Sequence, residues 1–147
     1  MSQKLQDIMT ANVATISPQQ TVAEAAQMMS QYNVGSIPVV QNGKAVGIIT
    51  DRDITLRVTA KGQDGQNTKV ESAMSKNIVT GTPEMDVHQA ANLMAQNQIR
   101  RLPVVDNGTV AGIVALGDLA VQNIYQNEAG EALTNISQPA QPQGTLS

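Results

Sequence analysis

The spacing of apolar positions changes several times in each half of the chain, and each change predicts an element. Val13-Ala14-Thr15-Ile16 reads as a short strand, which Ser17-Pro18 ends because proline has no ladder donor and a fixed φ. From Val22 the apolar residues fall at i, i+3, i+4 and i+7 (Val22, Ala25, Ala26, Met29), with Glu24, Gln27 and Gln31 on the opposite face. That is one apolar stripe on a helix. Thr21-Val22-Ala23-Glu24 has the capping-box form, so the helix is expected to start at Thr21. Ile37 to Val40 and Ala45 to Ile49 then flank Asn42-Gly43, the dipeptide that suits a two-residue turn needing positive φ twice, and a hairpin is predicted there. Pro38 places the first of these strands at an edge or puts the proline at a strand start. A second helix opens through Thr50-Asp51-Arg52-Asp53.

The whole pattern then returns. Met9, Thr15, Pro18, Val22, Met29, Pro38, Gly43, Gly47 and Asp53 find Met74, Thr80, Pro83, Val87, Met94, Pro103, Gly108, Gly112 and Asp118 at a constant offset of 65 residues. In the second copy the helix stripe is Val87, Ala90, Ala91 and Met94 behind a weaker cap, Asp86-Val87-His88-Gln89, and the hairpin turns at Asn107-Gly108. The reading is an α+β protein of two repeats, each strand, helix, strand, strand, helix: residues 5–60, a polar linker 61–69, residues 70–126, and a polar, partly disordered tail 127–147. Units of roughly 55–60 residues are marginal alone, so the copies are expected to fold against each other, and clefts between duplicated units tend to hold small ligands.

Composition narrows the function classes. With 147 residues, 41% hydrophobic and balanced charges, the chain is globular, and no apolar run is long enough to span a bilayer. Zero cysteines remove disulfides, thiolate nucleophiles and sulfur metal sites, which fits the cytoplasm. His88 is the single histidine and is expected to be solvated, so no metal site is anticipated. A net charge of −3, a pI near 4.9 and only two aromatic residues, both tyrosine, argue against nucleic-acid binding. A nucleobase bound here would lie between Val, Ile, Leu and Met side chains. The chain has no Gly-rich phosphate loop followed by lysine, no nucleophile elbow and no Ser/His/Asp set, so intrinsic catalysis is not expected.

Two copies of a helix after a proline, a Gly-Ser-Ile-Pro-Val-Val or Arg-Arg-Leu-Pro-Val-Val strand, an Asn-Gly hairpin and a Gly-Ile-(Ile/Val)-x-x-x-Asp exit resemble the CBS domain family over about residues 5–125. A tandem pair of such domains is a Bateman module. The resemblance implies a regulatory fold in which two sheets pack about a pseudo-twofold axis and leave two clefts for adenosine-containing ligands: AMP, ADP, ATP, NAD or S-adenosylmethionine. It also implies a homodimer and, since no other domain accompanies the pair here, an effector protein on a separate chain. No cofactor is required; an adenine nucleotide would be a regulatory ligand.

The resemblance assigns Thr50 to a phosphate and Asp53 to the ribose hydroxyls. A carboxylate can accept from two vicinal hydroxyls, yet Thr-x-x-Asp at a helix start is also a cap that forms without ligand, and the sequence leaves both readings open. In the second copy Asp118 keeps the acidic position, but Thr50 has become Ala115. Arg100-Arg101 stand where the first copy has Gly35-Ser36, and the resemblance gives such basic residues to the ligand phosphates. Adjacent strand residues face opposite ways, so one arginine is expected toward a cleft and the other toward solvent or an acidic neighbour. Asp118 with an arginine thus marks the tighter site. Val13 and Ile78 are expected to help wall the base pocket, and Ile37, Pro38, Leu102 and Pro103 to add apolar wall unless they are simply core. The leading expectation is a non-catalytic nucleotide sensor; the alternatives are a constitutive interaction scaffold and, with least support, an RNA-binding protein.

Overall fold

The computed structural model describes residues 3–121; the expected tail 127–147 lies outside them. The elements, in order, are α1 (Leu5–Ile8), α2 (Val22–Tyr32), β1 (Ser36–Gln41), β2 (Lys44–Thr50), α3 (Asp51–Ile54) running on into a π-helical turn (Thr55–Thr59), α4 (Val70–Ala73), α5 (Val87–Asn97), β3 (Arg101–Asp106), β4 (Thr109–Ala115) and α6 (Leu116–Val121). The strands form two separate two-stranded sheets, β1 with β2 and β3 with β4. This is the mixed helix and strand architecture the duplication predicts. The strand expected at Val13 to Ile16 is reduced to one residue: only Ile16 pairs, in a parallel bridge to Val39, donating to the Pro38 carbonyl (3.1 Å) and accepting from Val40 N–H (2.8 Å). Gly81 makes the equivalent bridge to Val104. Pro38 is tolerated in β1 because its nitrogen and carbonyl point toward Ile16 and not toward β2, so the sheet needs no donor from it.

Both hairpins turn as predicted, with positive φ at Asn42 (53°), Gly43 (77°), Asn107 (52°) and Gly108 (85°). The first hairpin carries a bulge the sequence did not announce. Gln41 lies opposite Lys44 and Val40 opposite Ala45, but Val39 lies opposite Gly47, so from there to Ser36 opposite Thr50 the register is shifted by one residue.

The chain divides into two compact units that cut across the repeats. Among the described residues, one contains 12–78 with the hairpin tip 105–111; the other contains 3–11, 79–104 and 112–121. Each unit takes its short leader helix from the other repeat. In the first unit, α4 enters with Val70 N–H on Gln20 carbonyl (2.8 Å) and Glu71 N–H on Pro18 carbonyl (3.1 Å), and Ser75 exchanges two hydrogen bonds with Ile48 (3.0 and 2.8 Å). In the second, α1 enters with Leu5 N–H on Met85 carbonyl (2.9 Å) and Gln6 N–H on Pro83 carbonyl (3.0 Å), and Thr10 exchanges two with Ile113 (2.9 and 3.0 Å). Every one of these bonds has its counterpart 65 residues away. The core of the first unit gathers Ile16, Val22, Ala25, Met29, Ile37, Val39, Ile49, Val58, Val70, Ala73 and Met74. In the second, Leu5, Val87, Ala90, Ala91, Met94, Leu102, Val104, Val114 and Leu119 are fully buried. The predicted stripes hold except at Ala26, which is exposed while its counterpart Ala91 is buried.

The polar segment 61–69 is a docked part of the first unit. The first N–H groups of a helix have no partner inside it. At α2 all four are satisfied: Thr21 N–H by Glu24 Oε1 (3.1 Å) and Glu24 N–H by Thr21 Oγ1 (3.2 Å), completing the expected capping box, then Val22 N–H by Thr68 carbonyl (2.8 Å) and Ala23 N–H by Gly65 carbonyl (3.0 Å). The Thr21 backbone N–H, joined by Gln20 and the Thr21 hydroxyl, holds the Glu24 carboxyl below its ordinary pKa. A depressed folded pKa contributes stability above the unfolded carboxylate range and loses it as pH falls through the folded value. Glu24→Gln is therefore expected to flatten the acid limb of Tm against pH, measured from neutrality down to pH 3, and a variant curve parallel to wild type would remove the box from the acid response.

Candidate functional site

The first candidate lies where β2 runs into α3. Extended backbone at Thr50 leaves the opening N–H groups of α3 unpaired, and the Thr-x-x-Asp spacing answers them: Asp53 N–H donates to Thr50 Oγ1 (3.0 Å) and Thr50 N–H donates to Asp53 Oδ2 (3.0 Å). This leaves Oδ1. The Asp53 side chain is 12% exposed, and its Oδ1 faces Arg57 Nε at 3.8 Å; the Arg57 side chain is 47% exposed. Arg57 is turned toward α4, where its Nη1 donates to the carbonyls of Ala73 and Met74, both at 3.1 Å. Because the bulge sets Ser36 opposite Thr50, their side chains share one face of the hairpin, the face also occupied by Pro38, while Ile37 and Val39 point into the core. Ser36 is 6% exposed, and its Oγ is buried without a hydrogen-bond partner among the described residues. Beside it, Asp51 N–H donates to the Gly35 carbonyl (2.9 Å), and a Cβ on Gly35 would stand 3.1 Å from Asp51 Oδ2. To admit a side chain there the exposed Asp51 carboxylate would have to give by only a few tenths of an ångström, and the second copy has Arg100 at the equivalent position.

The second candidate, where β4 meets α6, keeps half of this arrangement. Ala115 N–H donates to Asp118 Oδ2 (2.8 Å), but Ala115 has no hydroxyl to return the bond. Asp118 is half-buried and Oδ1 accepts no hydrogen bond among the described residues. Leu116 N–H donates to the Arg100 carbonyl (2.8 Å), which ties the strand opening to the helix start and brings the arginine pair beside the Asp118 turn. Arg100 and Arg101 are both exposed, and among the described residues neither guanidinium is ion-paired. Arg101 opens β3 next to fully buried Leu102, so alternation sends it to the opposite face, the side of Pro103.

The remaining expected residues divide by burial. Ile37 and Leu102 have no exposed surface and serve as core; Pro38 and Pro103 are buried on the other face of their strands. Val13 and Ile78 are half-buried, but neither begins a strand. His88 is exposed in the first turn of α5, its N–H donating to Asp86 Oδ1 (2.7 Å). Among the described residues no three His, Cys, Asp or Glu side chains gather as a metal site would need. Reading the sequence missed Ser36, Asp51 and Arg57. Arg57 stands four residues after Asp53, a legible helical spacing, whereas Ser36 depends on a bulge that no residue pattern marks.

Comparison with known proteins follows the duplication. The CBS domain sequence profile matches residues 5–59 and 70–121. CBS domain-containing protein YhcV of Bacillus subtilis (strain 168) is 57% identical over 133 residues, covering 90% of this chain and 94% of that protein. A crystal structure of a conserved CBS domain protein of unknown function from Thermoplasma acidophilum has a TM-score of 0.81 at 26% identity, over 92% of this chain and 76% of its own. A hexameric CBS-CP12 protein from bloom-forming cyanobacteria gives 0.77 at 34% identity, over 86% of this chain and 75% of its own.

Proposed function

The chain belongs to the CBS domain family, and from that premise we propose that it is a non-catalytic regulatory module that binds an adenosine-containing nucleotide and signals to a separate effector protein. One observation carries the reading: at both helix starts a half-buried aspartate has one oxygen pinned by a backbone N–H while the other takes no hydrogen bond from the described residues. A carboxylate held this way is oriented before any ligand arrives and can accept from a ribose diol. Arg100 and Arg101 beside Asp118 supply cations for a phosphate tail, so the second-copy site is assigned the more anionic ligands, AMP, ADP or ATP. The first-copy site, with Asp51, Asp53, Thr50 and Ser36, is the weaker one for phosphates.

Asp118→Ala is expected to weaken AMP or ATP binding by about 1–3 kcal/mol through loss of a charged acceptor, measured by isothermal titration calorimetry. An unchanged affinity would move the site elsewhere. If wild-type protein bound none of AMP, ADP, ATP, NAD or S-adenosylmethionine at millimolar concentration, the sensing reading would be withdrawn. A second reading is favoured by the Thr50 and Asp53 box, which is complete without ligand: a constitutive protein-protein scaffold, which predicts a captured partner that nucleotide does not release. Homodimer formation belongs to the first reading, supported by the exposed apolar side chains of Tyr32, Val34 and Leu56 and by the hexameric state of the cyanobacterial relative. Among the described residues no helix is long and apolar enough to cross a membrane.

A further inference from the structure

The side chain of Arg57 closes a ring within the first unit. The path runs from Thr50 through its box to Asp53 (3.0 Å), from Asp53 Oδ1 to Arg57 Nε (3.8 Å), from Arg57 Nη1 to the Ala73 and Met74 carbonyls (3.1 Å each), and from Ser75 back to Ile48, two residues before Thr50 (2.8 and 3.0 Å). The weakest link is the one at the candidate ligand atom. At 3.8 Å, with a half-exposed guanidinium, the pair with Asp53 is loose and screened, whereas the two carbonyl contacts have hydrogen-bond length. Arg57 also projects from the π-helical turn Thr55–Thr59, a rare geometry that is frequent at functional sites. The second repeat has Gln122 at the equivalent sequence position, so the duplication did not preserve the charge.

We propose that Arg57 is a positioning residue that couples occupancy of Asp53 to the end of α4, the leader segment of the second repeat; this rests on the nucleotide reading above. A ribose diol donating to Asp53 Oδ1 takes the place of the guanidinium there. Arg57 then bonds wholly to the Ala73 and Met74 carbonyls, and the Ser75 to Ile48 bridge beyond them opens less often. The coupling belongs to the first-copy site alone, and it requires no phosphate on the ligand.

Adenosine, which carries the diol without phosphate, is the probe, with calorimetry for binding and amide hydrogen exchange across 70–76 for the response. In wild type, saturating adenosine is expected to slow exchange at Met74 and Ser75 by about fivefold or more. In Arg57→Gln the slowing is lost, while affinity rises by up to about fivefold because a competitor for Oδ1 has gone; a residue that merely held the fold together would lower affinity instead. Arg57→Lys keeps the charge but not the fork of donors and should recover only part of the slowing. Adenosine binding with equal slowing in wild type and Arg57→Gln would overturn the coupling and leave the nucleotide reading standing. No adenosine binding to wild type would overturn the coupling, and only if AMP, ADP, ATP, NAD and S-adenosylmethionine also failed to bind would the nucleotide reading fall with it.

Discussion

Gly112→Ala is expected to lower the free energy of unfolding by about 2–4 kcal/mol, although it adds a single methyl group and the backbone there needs no unusual φ. A Cβ at this position would lie 2.6 Å from the Thr10 carbonyl oxygen and 2.7 Å from Met9 Sδ. The sulfur can swing away; the carbonyl cannot without disturbing the pair of hydrogen bonds that Thr10 exchanges with Ile113 at 2.9 and 3.0 Å. Overpacking against backbone costs about 1–3 kcal/mol, and each loosened hydrogen bond adds about 0.5–1.5. Gly47 meets the Ser75 carbonyl at 2.7 Å in the same manner, so Gly47→Ala should behave alike in the other unit. Gly117 is the internal control. It lies in the first turn of α6 with nothing within 4 Å of its added Cβ, and alanine there should stabilise by about 0.5–1 kcal/mol through helix propensity. Urea unfolding of the three variants would decide the matter. A Gly112→Ala protein within experimental error of wild type would mean that Met9 and Thr10, which follow α1, do not pass this close to β4.

Local elements were legible in the sequence because their causes are local. The box at Thr21 and Glu24, the αL-prone Asn-Gly turns and the stripe ending at Met29 each need only a few neighbouring residues, and each formed where the pattern placed it. What stayed hidden depends on partners distant in the chain. A duplicated sequence offers Leu5 and Val70 two nearly equivalent sockets, and no local pattern says that each leader packs into the other repeat's body. Val13 to Ile16 has strand composition, yet only Ile16 finds a pairing edge. The segment 61–69 looked like a tether because it lacks apolar residues; it holds its place through the backbone carbonyls of Gly65 and Thr68, which composition does not reveal. At the candidate site the same division applies. Thr50, Asp53, Asp118 and the arginine pair were readable from spacing and resemblance. Ser36 was not, because an unbulged hairpin closing at Gln41 and Lys44 would have set it opposite Ile49 instead of Thr50.

The exchange of leaders has a consequence that a linear view of the repeats would not give. Leu5 sits in the first repeat by sequence, but it is fully buried in the unit that holds residues 79–104, with Cδ1 2.7 Å from where a Cβ on Gly81 would stand and Leu102 Cδ2 at the same spot (3.1 Å). Leu5→Ala is expected to cost about 2–5 kcal/mol, the range for a buried leucine whose cavity cannot fully collapse. Collapse is restricted here because α1 is only four residues long and is fixed at both ends, by Leu5 N–H on Met85 carbonyl and by Thr10 on Ile113. The loss should fall unevenly along the chain. Hydrogen exchange should accelerate at amides of 79–104 and 112–121, remote in sequence from the substitution, while 16–50, which lies beside it in sequence, should respond less. Gln6→Ala, exposed on the same short helix, should leave both regions within about 0.5 kcal/mol of wild type. If Leu5→Ala instead loosened 16–50 first, the leader would belong to its own repeat, and the crossed pairing that places Thr10 against Ile113 would have to be abandoned.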